Sequence, residues 1–274
     1  MSLVSFCSAK GSPGVSTLAI ALGQLRSMTS QTVVLEADAD GGVAAARLGL
    51  SYEPGLADLL SAFRRETPDP GEVLRFRQVI TDRFGIVTGS GSADEMTAAL
   101  SLSGLGVAVA AGSIPDTDVF ADLGRVSARS PQLCFAARSV ATLLVARPTI
   151  DEIQTLPSRV DSLIRAGAEP VLVCLGDRPY DPRDVADHLG VELFGVWVDD
   201  PTSAQSVWTG TADKRVIRSA WWRSTTTLAD RVDALLTPTY APIAAVAPGA
   251  LPVDLTHLAS EATGTRTPIE RTFA

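Results

Sequence analysis

The 274-residue chain is 46% hydrophobic and 20% charged, a composition that supplies one sizeable core and excludes a disordered chain. Its formal net charge of -8 opposes nonspecific adhesion to nucleic acid, and no apolar run approaches the roughly 18 to 20 residues that a membrane span needs. The N-terminal residues also lack the basic region of a signal peptide. We therefore expect a globular, cytoplasmic protein.

Cysteine and histidine usage argues against metal and thiol chemistry. Cys7, Cys134 and Cys174 are odd in number, far apart and placed in apolar strings, which favours buried free thiols over a disulfide or a metal site. His188 and His257 are the only histidines of the sequence. Zinc chemistry and a histidine-based catalytic triad are therefore disfavoured.

Short aliphatic runs alternate with longer segments rich in Ala, Leu and Arg, which is the pattern of a parallel sheet with crossover helices. Most runs are continuously apolar, as in strands that are buried on both faces. The predicted strands are Leu3–Ser8, Thr32–Ala37, Phe84–Thr88, Asp118–Leu123, Ala141–Ala146, Val171–Leu175 and Leu193–Val198. The predicted helices are Val15–Met28, Gly55–Arg65, Ala93–Leu102, Ile150–Ala166, Pro182–Leu189 and Asp213–Leu236. The sequence thus predicts an α/β fold with a doubly wound, mostly parallel sheet.

The last predicted helix differs in composition from the residues after it. One stripe of its residues recurs at three- and four-residue spacing and predicts a buried face: Ile217, Trp221, Ser224, Leu228, Val232 and Leu235. After Leu236 the composition shifts to Pro, Thr and Ala, and prolines interrupt any periodicity. We therefore divide the chain into a domain of residues 1–236 and a C-terminal tail of residues 237–274.

The turn after the first strand has the context of a phosphate-binding loop. It runs from Ala9 to Thr17, between an apolar strand and an Ala- and Leu-containing helix. Gly11 and Gly14 let the backbone approach a ligand, and N–H groups at the start of the helix present positive potential to phosphate oxygens. The alternative is a tight turn that needs glycine for backbone reasons and binds nothing.

The ParA/MinD family of P-loop ATPases carries a deviant Walker A motif, K-G-G-x-G-K-[ST], which this loop resembles in Lys10-Gly11-Ser12-Pro13-Gly14-Val15-Ser16-Thr17. The resemblance implies that these residues bind ATP, that the Ser16 hydroxyl binds Mg²⁺ and that Lys10 reaches the nucleotide of the partner subunit in a homodimer. Val15 departs from the motif, because it stands where the P-loop lysine neutralises the β- and γ-phosphates. Losing that contact costs about 1.5 to 3 kcal/mol, or about one to two decades of affinity.

Two further segments end in carboxylates at the same predicted sheet edge, where open α/β sheets bind ligands. The segment after the second strand resembles the family's D-x-D-P-Q-G segment, with Glu36 in place of the first aspartate and Asp38 at the second, which helps to position the attacking water. The segment Asp118–Arg125 resembles a Walker B strand, with Asp122 contacting Mg²⁺ through water and Gly124 sensing the γ-phosphate. An ordinary Asp-Gly-Gly turn and a capped strand end are the alternatives.

Later strand ends carry weaker signals. Arg147 follows the strand after the Walker B segment and is expected near the same edge. Tyr180 lies in a loop where the family contacts the base, and a packed loop aromatic is the alternative interpretation. Taken in order and spacing, the resemblance covers residues 1–236 and is strongest to the divergent MinD-like branch, which includes pilus-assembly localisation proteins and septum-site regulators with degraded P-loops.

Basic and aromatic residues on the last helix allow two interpretations. Arg215, Arg218 and Arg223 flank Trp221 and Trp222, which would suit a peripheral membrane contact or a DNA-facing element. We favour the simpler interpretation, in which Trp221 is buried and the arginines form a solvated face. The acidic balance of the chain also disfavours DNA as a partner.

The sequence leaves three functions to compare. The first is an ATP- and Mg²⁺-dependent dimerising switch that hydrolyses ATP slowly and positions or partitions a cargo, with Lys10 and Asp38 in the reaction. The second is a pseudo-NTPase scaffold that keeps the fold without hydrolysis, which Val15 favours and which Lys10, Asp38 and Asp122 oppose. The third is a DNA-partitioning factor.

Overall fold

The computed structural model describes residues 3–11, 13–210 and 214–236. The strands are β1 (Leu3–Ser8), β2 (Gln31–Glu36), β3 (Gln78–Thr81), β4 (Phe84–Val87), β5 (Thr117–Arg125), β6 (Ala141–Ala146), β7 (Pro170–Leu175) and β8 (Leu193–Trp197). The first helices are α1 (Val15–Arg26), α2 (Ala44–Leu48), α3 (Leu56–Ala62), α4 (Pro70–Val73), a 3-10 turn (Leu74–Phe76), α5 (Ala93–Ala111) and α6 (Leu133–Ala136). The later helices are α7 (Ile150–Ile153), α8 (Leu156–Arg165), α9 (Pro182–Leu189), α10 (Pro201–Ala204), α11 (Ser206–Thr209), α12 (Lys214–Ile217) and α13 (Ala220–Leu236).

The described strands form one sheet in the order β3-β4-β2-β5-β1-β6-β7-β8. Neighbouring strands pair in parallel except β3, which runs antiparallel to β4 at one edge. The central register places Asp122 of β5 beside Phe6 of β1 on one side and beside Glu36 of β2 on the other. The loops that follow β1, β2 and β5 therefore start side by side at the carboxyl edge of the sheet.

Helices cover both faces of this sheet. One buried cluster joins the sheet to α3, α5, α6, α8 and α9, and a second joins it to α1, α11 and α13. The central strands are buried along almost their whole length, which explains why their sequences are continuously apolar. The predicted doubly wound, mostly parallel fold is confirmed.

Two of the predicted helices are each divided in the structure. The predicted helix Ile150–Ala166 consists of α7 and α8, because Pro157 in the first turn of α8 has no N–H for a continuous helix. The predicted helix Asp213–Leu236 consists of α12 and α13, with Asp213 outside the described residues. Ile217 of α12 and Leu235 of α13 are exposed, so the buried stripe is shorter than predicted at both ends.

Several other expectations fall on the described residues. Cys7 and Cys174 are buried, Cys134 is half-buried, and all are free thiols, as predicted. Burial raises the pKa of Cys7 and of Cys174 to about 12, so these thiols are protonated and unreactive at neutral pH.

The helices that the structure describes include none with the length and apolar character to cross a membrane. The predicted tail of residues 237–274 lies outside the described residues.

Candidate nucleotide site at the carboxyl edge of the sheet

The loop between β1 and α1 is shaped by two glycines. Gly11 has a φ of 66° and Gly14 a φ of 87°, in the left-handed region that favours glycine. A Cβ on Gly14 would also lie 3.2 Å from the Trp197 ring, so the backbone there packs closely on β8. Gly14 is the N-cap of α1 and offers no side-chain cap to the first-turn N–H groups. The start of α1 is therefore suited to an anion.

A cavity of about 430 Å³ opens over this loop. Its walls come from the loop after β1, the loop after β2, the end of β5 and Trp208 of α11. The predicted site residues that line it are Gly11, Gly14, Val15, Ser16, Thr17, Asp38 and Gly124. Three of the predicted segments thus meet around one space, while Ser12 lies outside the described residues.

Val15 leaves this space open. It is the first residue of α1, is 5% exposed and belongs to the apolar cluster on the α1 face of the sheet. Because its side chain packs into that cluster, it lines the cavity without filling it. The loop offers backbone N–H groups to an anion, but no cation at the position of the P-loop lysine.

Ser16 lines the cavity, whereas Asp122 is buried near Ser16 and does not line it. Asp122 is 2% exposed and accepts a hydrogen bond from the Gly124 N–H at 3.0 Å. Burial raises the pKa of Asp122 to about 6, while the nearby Ser16 hydroxyl and the Gly124 N–H act in the opposite direction. No cluster of three or more potential metal-ligating side chains occurs among the residues that the structure describes. A cation here would keep several waters, which is the usual behaviour of Mg²⁺.

Asp38 lies directly against Gly124. Gly124 has a φ of 57°, and a Cβ at this position would come within 1.9 Å of an Asp38 carboxylate oxygen. The Asp40 N–H donates a 2.9 Å hydrogen bond to Asp38 Oδ1. Burial raises the pKa of Asp38 from 3.8 to about 7, and the nearby Asp122 charge acts in the same direction. Asp38 is thus poised to exchange a proton near neutral pH.

Glu36 has a structural task that its sequence position did not predict. It is buried at the end of β2, where Oε1 accepts hydrogen bonds from the Val43 and Ala44 N–H groups at 2.8 Å each. Its Oε2 accepts a third, from the Gly89 N–H at 3.0 Å. Burial raises the pKa of Glu36, while these three N–H groups act in the opposite direction. Glu36 therefore ties the loop that carries Asp38 to α2 and to the end of β4.

Lys10 does not line the cavity in this chain. Its Nζ lies 3.7 Å from an Asp151 carboxylate oxygen at the start of α7, and both side chains are at least half exposed. An exposed pair of this kind contributes about 0 to 1 kcal/mol, so little holds Lys10 in this position. Its predicted contact with the nucleotide of a partner subunit stays a prediction.

A smaller concavity of about 150 Å³ adjoins the other side of the loop. Pro13, Gly14 and Arg147 contribute to its wall, together with the loop after β8. The Arg147 guanidinium lies 3.5 Å from Asp199, and the Arg147 backbone N–H donates a 2.7 Å hydrogen bond to Glu152. Tyr180 is 44% exposed, so it is not a packed loop aromatic, and it lines neither cavity.

No protein-family model matches the sequence, and no curated protein is significantly similar to it. Solved structures are similar in fold. A ParA family ATPase from Chlorobium tepidum TLS has a TM-score of 0.67 at 16% identity, covering 84% of this chain and 96% of that one. The septum site-determining protein MinD from Pyrococcus horikoshii OT3, complexed with Mg-ADP, has a TM-score of 0.67 at 18% identity, covering 85% and 96%. The chain has the fold of the ParA/MinD ATPases.

A third structure with this fold is a complex with a nucleoside triphosphate. It is an Asp-to-Ala variant of McdA from Cyanothece with ATP, with a TM-score of 0.65 at 14% identity, covering 86% of this chain and 96% of that one. Because the ParA/MinD fold spans the described chain nearly end to end, the candidate site lies at the carboxyl edge of a complete sheet of this type. The roles of individual residues in this chain stay predictions.

Proposed function

We propose that this chain is a nucleotide-dependent switch of the ParA/MinD type, which binds ATP and Mg²⁺, dimerises, hydrolyses ATP slowly and positions or partitions a cargo. The observation that carries the proposal is the meeting of the glycine loop with Ser16, of Asp38 and of Gly124 at the end of β5 around one cavity. Proteins of the same fold with bound Mg-ADP and ATP support it. Septum-site and partition proteins among these neighbours support the positioning role.

The residues of the site fit a magnesium nucleotide in most respects. Backbone N–H groups after Gly14 would bind phosphate oxygens, and Ser16 with Asp122 would hold Mg²⁺ partly through water. Bound Mg²⁺ would supply positive charge against the phosphates. Asp38, with its pKa near neutrality, would accept a proton from water at the cavity wall.

Val15 sets the expected rate. Catalysis of phosphoryl transfer is mainly positioning and electrostatic stabilisation, and the P-loop cation is part of that stabilisation. With an aliphatic side chain in its place, turnover is expected to be slow. Slow turnover suits a switch, because the lifetime of the ATP-bound dimer then sets how long the cargo is held.

A pseudo-NTPase scaffold is the second candidate, and Val15 is the observation that favours it. Under this alternative, the chain keeps the fold and a partner-binding surface but never hydrolyses ATP. Lys10 and Asp38 argue against it: Lys10 is half exposed in a weak ion pair, and burial opposes the charged form of Asp38. The cytoplasmic location, a peripheral membrane contact and DNA binding remain expectations from the sequence.

Calorimetry and light scattering with the full chain test the switch. We expect Mg-ATP to bind with a Kd below about 1 mM and to shift the chain toward a dimer, and Lys10→Ala to abolish the dimer. Lys214→Ala is the matched control, because Lys10 and Lys214 are the only lysines and Lys214 is exposed on α12. Absence of binding heat at millimolar Mg-ATP would refute the switch, whereas ATP binding with equal dimer formation by Lys10→Ala would refute the role of Lys10.

A further inference from the structure

Two arginines line the cavity that contains Val15. Arg47 belongs to α2, after the Asp38 loop, and Arg125 is the last residue of β5. The ionisable side chains on the cavity wall are these two arginines together with Asp38 and Asp40. The cationic charge absent from position 15 is therefore present elsewhere on the same wall.

The two arginines differ in what they contact. The Arg125 guanidinium lies 2.9 Å from an Asp40 carboxylate oxygen, so its charge is already balanced by a neighbour. Among residues 3–11, 13–210 and 214–236, no carboxylate lies within 4.0 Å of the Arg47 guanidinium. Arg47 is thus the arginine of this cavity wall that has no carboxylate partner among the described residues.

Trp208 holds Arg47 at the cavity. The Arg47 guanidinium carbon lies 4.7 Å from the centre of the Trp208 ring, within the range of a cation–π contact. Trp208 is 6% exposed and fixed in the cluster that contains α1 and Val15, so the ring is a rigid support. A guanidinium stacked on a ring uses its face and keeps its N–H groups at the edge for hydrogen bonds.

The geometry points to Arg47 as the phosphate-binding cation of this site, making in place of residue 15 the contact that neutralises the terminal phosphates of a nucleoside triphosphate. This inference rests on the proposed nucleotide function and assigns its charge contact to one residue. Arginine suits the task because its planar fork of donors matches phosphate oxygens in pairs. Arg47 lies on α2, just after the loop that carries Asp38. A phosphate bound by Arg47 would therefore also contact the segment that follows β2.

Calorimetric titration of the full chain with Mg-ATP, Mg-ADP and AMP tests this assignment. For Arg47→Ala we expect the Kd of Mg-ATP to rise about 10- to 100-fold, as for loss of a charged hydrogen bond. The effect should be smaller for Mg-ADP and under about threefold for AMP, which lacks the terminal phosphates. Arg65→Ala, an exposed arginine away from the cavity, removes the same charge and is expected to leave every Kd unchanged. Equal Mg-ATP affinity in Arg47→Ala and wild type overturns the assignment.

Moving the cation gives a second test. If Arg47 replaces the missing lysine, the double variant Arg47→Ala with Val15→Lys should recover at least a tenfold part of the lost Mg-ATP affinity. Trp208→Leu, which removes the ring under the guanidinium, should weaken Mg-ATP about three- to tenfold, as for loss of a cation–π contact of about 1 kcal/mol. Thermal melting of each variant verifies folding, and a folded Trp208→Leu variant with wild-type affinity counts against the supporting role of the ring.

Inorganic tripolyphosphate separates this inference from the proposed function. If wild type binds tripolyphosphate and Arg47→Ala does not, but neither binds Mg-ATP, the anion contact stands and the nucleotide function fails. If wild type binds Mg-ATP and Arg47→Ala binds it equally well, the function stands and the Arg47 contact fails. If wild type binds neither probe at millimolar concentration, both fail.

Discussion

Replacing Glu36 by alanine is expected to lower the free energy of unfolding by about 3 to 5 kcal/mol. The substitution removes the acceptor of three backbone N–H groups, those of Val43, Ala44 and Gly89. Each buried N–H left without a partner costs about 1 to 3 kcal/mol. Removing the carboxylate also removes the free-energy cost of burying its charge, which offsets part of that loss. The expected total is therefore smaller than the summed cost of three unpaired N–H groups.

The surroundings of Glu36 are too tightly packed for the freed N–H groups to find another acceptor easily. A Cβ on Gly42 would lie 2.6 Å from Glu36 Oε2 and 2.9 Å from the Gly89 backbone. The loops that carry Gly42 and Gly89 therefore approach this carboxylate too closely for any residue larger than glycine at position 42. Without Glu36 the loop that carries Asp38 loses its side-chain tie to the end of β4. We therefore expect Mg-ATP affinity to fall together with stability.

Urea denaturation at pH 7 measures this effect, with Glu72→Ala as the matched control. Glu72 also accepts a backbone N–H, from Asp69 at 3.1 Å, but only one, and at the exposed start of α4. Its loss is expected to cost under about 1 kcal/mol. Equal destabilisation by the two substitutions would show that Glu36 is not the anchor of this loop.

The limits of the central strands are predictable because burial on both faces gives continuously apolar sequences. β1 and β6 have the predicted bounds, and β2, β5, β7 and β8 differ by one or two residues at their ends. β3 is absent from the prediction, since it is a four-residue edge strand whose Val79 and Ile80 are exposed. An edge strand with apolar residues outside gives neither a continuous nor an alternating pattern.

Helix limits are less predictable where glycine serves packing. The predicted end of α5 is Leu102, but the helix continues to Ala111 through Gly104 and Gly106. A Cβ on Gly104 would lie 3.0 Å from Cys134 Sγ, and one on Gly106 would lie 3.3 Å from Thr67 Oγ1. These glycines allow close approach of neighbouring elements, which a sequence pattern cannot distinguish from a helix stop.

Part of the candidate site is predictable from the sequence, and part of it depends on contacts that only the fold creates. Its loop, Asp38 and Asp122 are predictable, because parallel strand ends meet at one edge and each segment carries a recognisable pattern. The contact between Arg47 and Trp208 is not, since it joins α2 to a residue far along the chain through the packing of α11. In the sequence Glu36 is only a departure from a motif, because its hydrogen-bond donors come from loops whose course depends on the fold.

Replacing Asp38 by asparagine is expected to stabilise the metal-free protein by about 2 to 4 kcal/mol at pH 8 and to leave it almost unchanged at pH 4. The pKa of Asp38 is 3.8 ordinarily and about 7 in the folded chain. Between these values the folded state binds more protons than the unfolded state, so wild-type stability falls as the pH rises from about 4 to about 7. Full conversion at 1.36 kcal/mol per pH unit gives about 4 kcal/mol, and partial exposure of the carboxyl lowers that figure.

Asparagine keeps the acceptor for the Asp40 N–H but carries no charge, so the variant avoids this loss. Burial also raises the pKa of Glu36 and of Asp122, and these groups leave a residual slope of the same sign in the variant. Urea denaturation from pH 4 to pH 8 with a chelator measures the difference. Asp40→Asn is the control: it breaks an exposed pair with Arg125, worth about 0 to 1 kcal/mol, and removes only a minor contribution to the pKa of Asp38, whose main cause is burial.

The Asp38→Asn variant also tests whether the Asp38 carboxylate serves the reaction or the fold. A carboxylate that destabilises its own fold at neutral pH is expected to persist only where its charge is used, as at sites where activity opposes stability. We therefore expect Asp38→Asn to be the more stable protein and to lose ATP hydrolysis while it still binds Mg-ATP. A variant that hydrolyses ATP at the wild-type rate would remove Asp38 from the reaction. A variant that is no more stable than wild type at pH 8 would contradict the raised pKa of Asp38.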